Sequence, residues 1–201
     1  MYLNRWLQAQ RSQTALIIMN HFKLQQAADI MHMGGVVAYP TEAVWGLGCD
    51  PFDASAVQKI LELKQRPVEK GLILIAADIA MCHDLLSHLT DAQRAQISAQ
   101  YERPTTWLVP DVGRVPNWVK GEHNSFALRI TRHPWAAALS KAFGGPIVST
   151  SANPAGKTEA RDRLRLANYF PDGLDYVAPG SVGRAAQPSQ IRDLVSGTIL
   201  R

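Results

Sequence analysis

Strand-like apolar runs alternate with helix-period segments through the first three-quarters of this chain, and that alternation limits its fold more than any other feature. From Leu24 to Met31 the residues Leu24, Ala27, Ala28 and Met31 repeat at the spacing of one helical face. Gly34-Gly35 ends that segment, since glycine takes the left-handed cap conformation cheaply. Val36 to Tyr39 follows as a buried strand, and Pro40 to Gly48 reads as a loop where backbone approaches something closely. Asp53 is placed to cap a helix carrying Val57, Ile60, Leu61 and Lys64 on one side, which Pro67 brings to an end near Gln65. Leu72 to Ala76 predicts a second strand, and two helical stretches follow, the second opening on the capping-box pattern Thr90-Asp91-Ala92-Gln93. Thr106–Val109, Ser125–Ile130 and Pro146–Ser149 predict further strands. Helices are predicted over Pro134–Phe143, opened by proline and stopped by Gly144-Gly145, and over Arg161–Tyr169. A closing hairpin joins Ile191–Leu194 to Thr198–Leu200. The pattern predicts an α/β fold with a mixed parallel and antiparallel sheet.

Length and composition agree with that class. The 201 residues suffice for one domain with a sizeable core, and 46% hydrophobic with 19% charged residues is ordinary for a globular chain. Residues 1–18 read differently and are taken as an N-terminal extension, with 19–201 as a single domain and Met19 as an alternative start. No apolar run approaches the roughly 18 residues of a membrane span. Two cysteines, Cys49 and Cys82, without CxxC or zinc spacing, argue against a disulfide framework and make a reducing cytoplasm the expected compartment. A net charge of +4 leans toward anionic partners, although a few surplus surface cations would give the same value.

Two segments could carry chemistry. Lys64-Gln65-Arg66-Pro67-Val68-Glu69-Lys70-Gly71 places three cations in seven residues where a helix ends and a strand begins. Arginine offers a planar fork to phosphate or carboxylate and lysine a mobile point charge, while cations at a helix C-terminus also simply complement its dipole. Ser149-Thr150-Ser151-Ala152-Asn153 follows a strand with short hydroxyl and amide groups that suit ligand oxygens, or a capped turn. Beyond it, Ser151 to Thr158 nearly spells a P-loop, but Ser151 replaces the opening glycine and Pro154 removes one N–H of the phosphate cradle. His83 and His88 lack further ligands at metal spacing and fit a surface helix. Arg129 lies inside the apolar strand Phe126–Ile130, where it needs a carboxylate or a bound anion.

In this order these pieces resemble the YrdC/TsaC family of threonylcarbamoyl-AMP synthases, in its short single-domain form. The resemblance rests on Tyr39-Pro40-Thr41-Glu42-Ala43-Val44-Trp45-Gly46-Leu47-Gly48, Lys64-Gln65-Arg66 with Lys70-Gly71, and Ala127-Leu128-Arg129 with His133-Pro134. Ser149-Thr150-Ser151-Ala152-Asn153 and Pro188-Ser189-Gln190-Ile191-Arg192-Asp193 complete it. It runs from about Phe22 to the C-terminus and implies a twisted sheet with flanking helices and a concave basic cleft. It also implies an enzyme that makes threonylcarbamoyl-AMP and pyrophosphate from ATP, L-threonine and bicarbonate. The product feeds threonylcarbamoylation of the tRNA adenosine beside the anticodon, a transfer made by other proteins, the threonylcarbamoyl transferase complex.

By the same resemblance Lys64, Arg66 and Lys70 form the catalytic cation set. Thr41, Arg129, Ser149 and Ser189 hold threonine, and Arg66, Lys70, Ser125, Ser151, Asn153 and Arg201 hold ATP. Mg²⁺ is expected with the nucleotide, no metal is expected on the protein itself, and the Lys64–Lys70 stretch is the expected closing loop. Where the family usually carries Pro-Gly-Pro-x-Thr this chain has Glu102-Arg103-Pro104-Thr105-Thr106, which leaves a role for Thr106 open. Some relatives carry a histidine near Ile75, so contacts to threonine there are not carried over. The competing function classes are a non-catalytic module binding double-stranded RNA or tRNA, with Arg161-Asp162-Arg163-Leu164-Arg165 on the phosphates, and a P-loop NTPase.

Overall fold

A computed structural model describes residues 21–183 and 189–200. Its frame is one eight-stranded mixed sheet of order β7-β1-β2-β6-β3-β5-β4-β8. The strands are β1 Val37–Pro40, β2 Trp45–Gly48, β3 Ile73–Ala76, β4 Thr105–Pro110, β5 Ser125–Ile130, β6 Ile147–Ser151, β7 Tyr176–Val177 and β8 Gln190–Asp193. The pairs β1–β7, β3–β5 and β4–β8 are parallel, and β1–β2, β2–β6, β3–β6 and β4–β5 are antiparallel. The helices are α1 over residues 21–32, α2 Ala54–Lys64, α3 His83–Leu86, α4 Asp91–Ser98, α5 Asn117–Lys120, α6 Pro134–Phe143 and α7 Arg163–Tyr169.

Strand periodicity sorts the core onto two faces. Val36 and Ala38 pack with Trp45, Leu74, Leu128 and the apolar side of α2, whereas Val37 and Tyr39 pack with Ile75, Ile147 and residues of α1 and α6. The helix ends follow the signals in the chain. Asp53 Oδ1 accepts from the N–H groups of Ser55 and Ala56, and Thr90 with Gln93 closes the capping box of α4. Gly34 and Gly144 sit at positive φ beyond α1 and α6, where a Cβ would be strained.

Five elements differ from the sequence reading. The stretch after Pro40 is a tight turn followed by strand β2, not a loop as far as Gly48. Half of β2 is glycine, which has no strand preference. The reason for glycine is steric: a Cβ on Gly48 would lie 2.5 Å from the Val148 carbonyl oxygen and 2.7 Å from the Tyr39 ring. Strand β6 continues through Ser151, so three of the five residues of the Ser149–Asn153 run are strand rather than a turn beyond it. Short α5 and two-residue β7 had no readable period. The C-terminal hairpin survives as a single antiparallel bridge between Arg192 and Ile199. The expected extension at residues 1–18 lies outside the described residues.

Candidate active site

A cavity of about 420 Å³ opens on the sheet face that carries Ile75 and Tyr39, across the ends of β2, β6, β3, β5, β4 and β8. The register explains its floor. Ile73 pairs with both Ala127 and Ser149, and Arg129 pairs with Ile75 one step along, so β5 and β6 present small or polar side chains beside each other. Thr41 enters from the β1–β2 turn, where its N–H and hydroxyl both donate to the Val44 carbonyl, at 3.1 and 2.8 Å. Ser189 enters next to β8 and shares a 2.8 Å hydrogen bond with the buried Thr106 hydroxyl on β4. Thr106, left open by the altered Pro-Gly stretch, therefore supports one wall of the site.

Arg66 and Lys70 face the cavity from the segment after α2. Gln65 takes a left-handed conformation (φ 51°), so the chain turns sharply there and Arg66 N–H returns to the Leu61 carbonyl at 2.9 Å. The Arg66 side chain then folds over the 3₁₀ turn Val68–Lys70: Nε and Nη2 donate to the Gly71 carbonyl at 3.2 and 2.8 Å, and Nη2 also to that of Lys70. Burial lowers the pKa of this guanidinium from its ordinary value. Its position is thus set by backbone oxygens, with the rest of the fork available to a ligand.

Arg129 is 9% exposed and lies on the same cavity with Glu42. The closest approach, Nη1 to Oε2, is 3.5 Å. Glu42 Oε1 accepts from the Thr131 hydroxyl at 2.8 Å and from the N–H groups of Arg132 and His133 at 3.2 and 3.3 Å. Burial alone would raise this carboxyl, but Arg129, the Thr131 hydroxyl and the backbone donors outweigh it and hold its pKa below the ordinary value.

Eight residues named from the sequence thus meet on one wall system: Thr41, Arg129, Ser149 and Ser189, with Arg66, Lys70, Ser125 and Ser151. Lys64 and Asn153 do not line it. Lys64 is 4% exposed, and its ammonium donates to the carbonyls of Ser151 and Asn153, the latter at 2.8 Å. Ala155 N–H returns a 2.7 Å bond to the Lys64 carbonyl, so the end of α2 and the end of β6 are tied in both directions. The Asn153 amide is occupied with the Pro154 and Lys157 carbonyls. Arg201 lies outside the described residues, although its neighbour Leu200 lines the cavity.

The Sua5/YciO/YrdC family model, described as telomere recombination, matches residues 29–201. The chain belongs to the Sua5/YciO/YrdC family. It is 53% identical over 179 residues to the threonylcarbamoyl-AMP synthase of Cellvibrio japonicus, covering 89% of this chain and 95% of that one. To the enzyme of the same name from Pseudomonas aeruginosa it is 50% identical over 184 residues, 92% and 99% of the two chains. Among solved structures it resembles P. abyssi Sua5 complexed with L-threonine, with a TM-score of 0.82 and 28% identity over 90% of this chain. This chain spans about half of that protein, 54% of its length. E. coli YciO shares the fold at a TM-score of 0.75, with 24% identity over 90% of this chain and 87% of that one.

Several lining residues were not singled out from the sequence of this Sua5/YciO/YrdC member. Lys120 reaches the cavity from α5 while paired with Asp111 at 2.5 Å, and His123 and Glu159 also border it. A lone lysine before a glycine gives no signal. Four lining cations (Arg66, Lys70, Lys120 and Arg129) face two carboxylates, Glu42 and Glu159, so the cleft favours anions. Among the described residues no group of three or more His, Cys, Asp or Glu is arranged to hold a metal ion. His83 and His88 are exposed near α3. The near-P-loop is not a phosphate cradle here: Ser151 ends strand β6, and Lys157 is exposed and off the cavity wall. Both cysteines are buried free thiols; burial pushes the Cys82 thiol up to about 12 and raises that of Cys49 as well. No helix among the described residues is long and apolar enough to cross a membrane.

Proposed function

We propose that this protein is a threonylcarbamoyl-AMP synthase, joining L-threonine, bicarbonate and ATP into threonylcarbamoyl-AMP and pyrophosphate. The observation that carries the reading is the single cavity that gathers Arg66 and Lys70 at one side and Arg129, Thr41, Ser149 and Ser189 at the other, in a chain about half identical to enzymes of that name. It needs two anion subsites in one cleft, and the cations on the two sides of this one support that reading. The non-catalytic RNA-binding reading gives way, because the relatives that match almost the whole chain are named as synthases, and its basic stretch Arg161–Arg165, at the start of α7, is not part of the cavity wall that gathers the other cations.

In this reading the threonine carboxylate faces the Arg129 guanidinium, and the short oxygens of Thr41, Ser149 and Ser189 meet its hydroxyl and amine. The triphosphate lies along Arg66 and Lys70, with the Ser125 and Ser151 hydroxyls as donors, and the family resemblance adds Arg201 to the ATP contacts. Mg²⁺ would arrive on the triphosphate, where it neutralises charge on the phosphate oxygens, since it keeps water and phosphate ligands and needs few from protein. The threonine amine takes up bicarbonate as a carbamate, with loss of water. A carbamate oxygen then attacks the α-phosphorus, and the bond to the β-phosphate oxygen breaks to release pyrophosphate. No side chain need form a covalent intermediate; the cleft contributes alignment and fixed positive charge. Of the expected Lys64–Lys70 closing stretch, in which Lys64 is buried, the Val68–Lys70 turn held by Arg66 would cover the labile product.

The product would pass in the cytoplasm to a threonylcarbamoyl transferase complex acting on tRNA. The deciding experiment mixes the protein with Mg-ATP, bicarbonate and L-threonine and measures pyrophosphate. Threonine-dependent release is expected, and release indifferent to threonine would remove the reading.

A further inference from the structure

The ion pair in the cavity wall is held open. Arg129 Nη1 and Glu42 Oε2 stand 3.5 Å apart, longer than a hydrogen bond, and neither Oε2 nor the buried Nε of Arg129 has a hydrogen-bond partner. The cause lies on the other carboxylate oxygen. Three donors from the turn Thr131–His133 fix Glu42 Oε1, so the carboxylate cannot swing onto the guanidinium.

An open pair has an electrostatic consequence. Alone in a low-dielectric wall, Arg129 would attract any small anion. A fixed negative charge at Glu42 cancels much of that pull, so a simple carboxylate loses to Glu42 part of what it gains from Arg129. A zwitterion escapes the cancellation, because its ammonium gains from Glu42 while its carboxylate gains from Arg129. The attraction acts through space and needs no contact with the buried Oε2.

We propose that Glu42 is a specificity-determining residue that makes the Arg129 wall select an α-amino-acid zwitterion over other carboxylates. The inference rests on the placement of the amino-acid carboxylate at Arg129 proposed above. A purely structural role, tying the β1–β2 turn to the turn after β5, would leave this selectivity untouched.

The variant Glu42→Gln keeps the shape and an acceptor oxygen for the three donors but removes the charge. Calorimetric titration of the full chain with L-threonine, and with 2,3-dihydroxybutanoate, in which a hydroxyl replaces the ammonium, gives the selectivity ratio directly. Wild-type protein is expected to prefer threonine by at least about tenfold, and Glu42→Gln to lower that ratio by about tenfold, through weaker threonine and stronger dihydroxybutanoate binding. The control Thr131→Val, which removes one hydrogen bond to Glu42 and no charge, is expected to hold the wild-type ratio. A folded Glu42→Gln whose two affinities fall together at an unchanged ratio overturns the inference while leaving the threonine site standing. Should that variant fail to fold, the wild-type ratio decides, and equal affinity for the two ligands overturns it. Wild-type protein that binds neither ligand removes the threonine site and the inference with it.

Discussion

Replacing Lys64 with methionine should destabilise the protein by an amount that grows with pH, which loss of packing alone would not do. The Lys64 ammonium is almost wholly buried and donates to the carbonyls of Ser151 and Asn153. Leaving a buried carbonyl without its donor costs about 1–3 kcal/mol. Burial, and then the nearby Arg66 charge, push the lysine pKa from 10.5 down to about 8, with Glu159 pulling the other way. A depression of that size means that keeping the ammonium charged at neutral pH costs about 3 kcal/mol, a cost that methionine does not carry. At pH 7 the two effects largely offset, and the net loss should be only about 0–3 kcal/mol. Between the folded pKa near 8 and the unfolded value of 10.5, the unfolded state binds more protons than the folded one. Wild-type stability therefore rises with pH through that window. About 2 kcal/mol of the penalty is recovered by pH 9.5, where the neutral amine still donates to both carbonyls. The methionine variant recovers nothing, so the gap should widen by about 2 kcal/mol between pH 7 and pH 9.5. Urea denaturation of both proteins at the two pH values measures it, and titrating groups common to both cancel. A gap that stays constant within about 0.5 kcal/mol would refute the buried, charged clamp.

Three further outcomes can be checked. Arg66→Ala removes a cleft cation and releases the Lys70 and Gly71 carbonyls that it holds. The KM for ATP should rise by about one to two decades with the KM for threonine little changed, and an unchanged KM for ATP would take Arg66 out of the nucleotide site. Gly48→Ala places a methyl against the Val148 carbonyl and the Tyr39 ring and should cost about 1–3 kcal/mol in thermal unfolding; an unshifted melting temperature would contradict that packing. Lys157→Ala alters an exposed residue of the near-P-loop and should leave pyrophosphate release within about twofold of wild type, whereas abolished turnover would revive the P-loop reading.

What could be read in advance depended on whether the signal was local. Asp53, the Thr90–Gln93 capping box and the pairs Pro134 with Gly144 each act within one helical turn, and each sits where the pattern placed it. Strand β2 escaped because its Gly48 answers to Tyr39 and Val148, contacts that exist only once the sheet has formed. The open pair of Glu42 and Arg129 escaped for the same reason: an arginine in an apolar strand announces that it needs a partner, not which one. Lys64 and Arg66 show the two kinds of signal in conflict. Both belong to one family motif, yet the helical period sets Lys64 with Val57, Ile60 and Leu61 on the buried side of α2. The left-handed Gln65 then turns the chain, and Arg66 emerges into the cleft. Two residues apart, one cation braces the end of β6 from behind and the other faces the cavity. Helical periodicity, not membership of the motif, determines which does which.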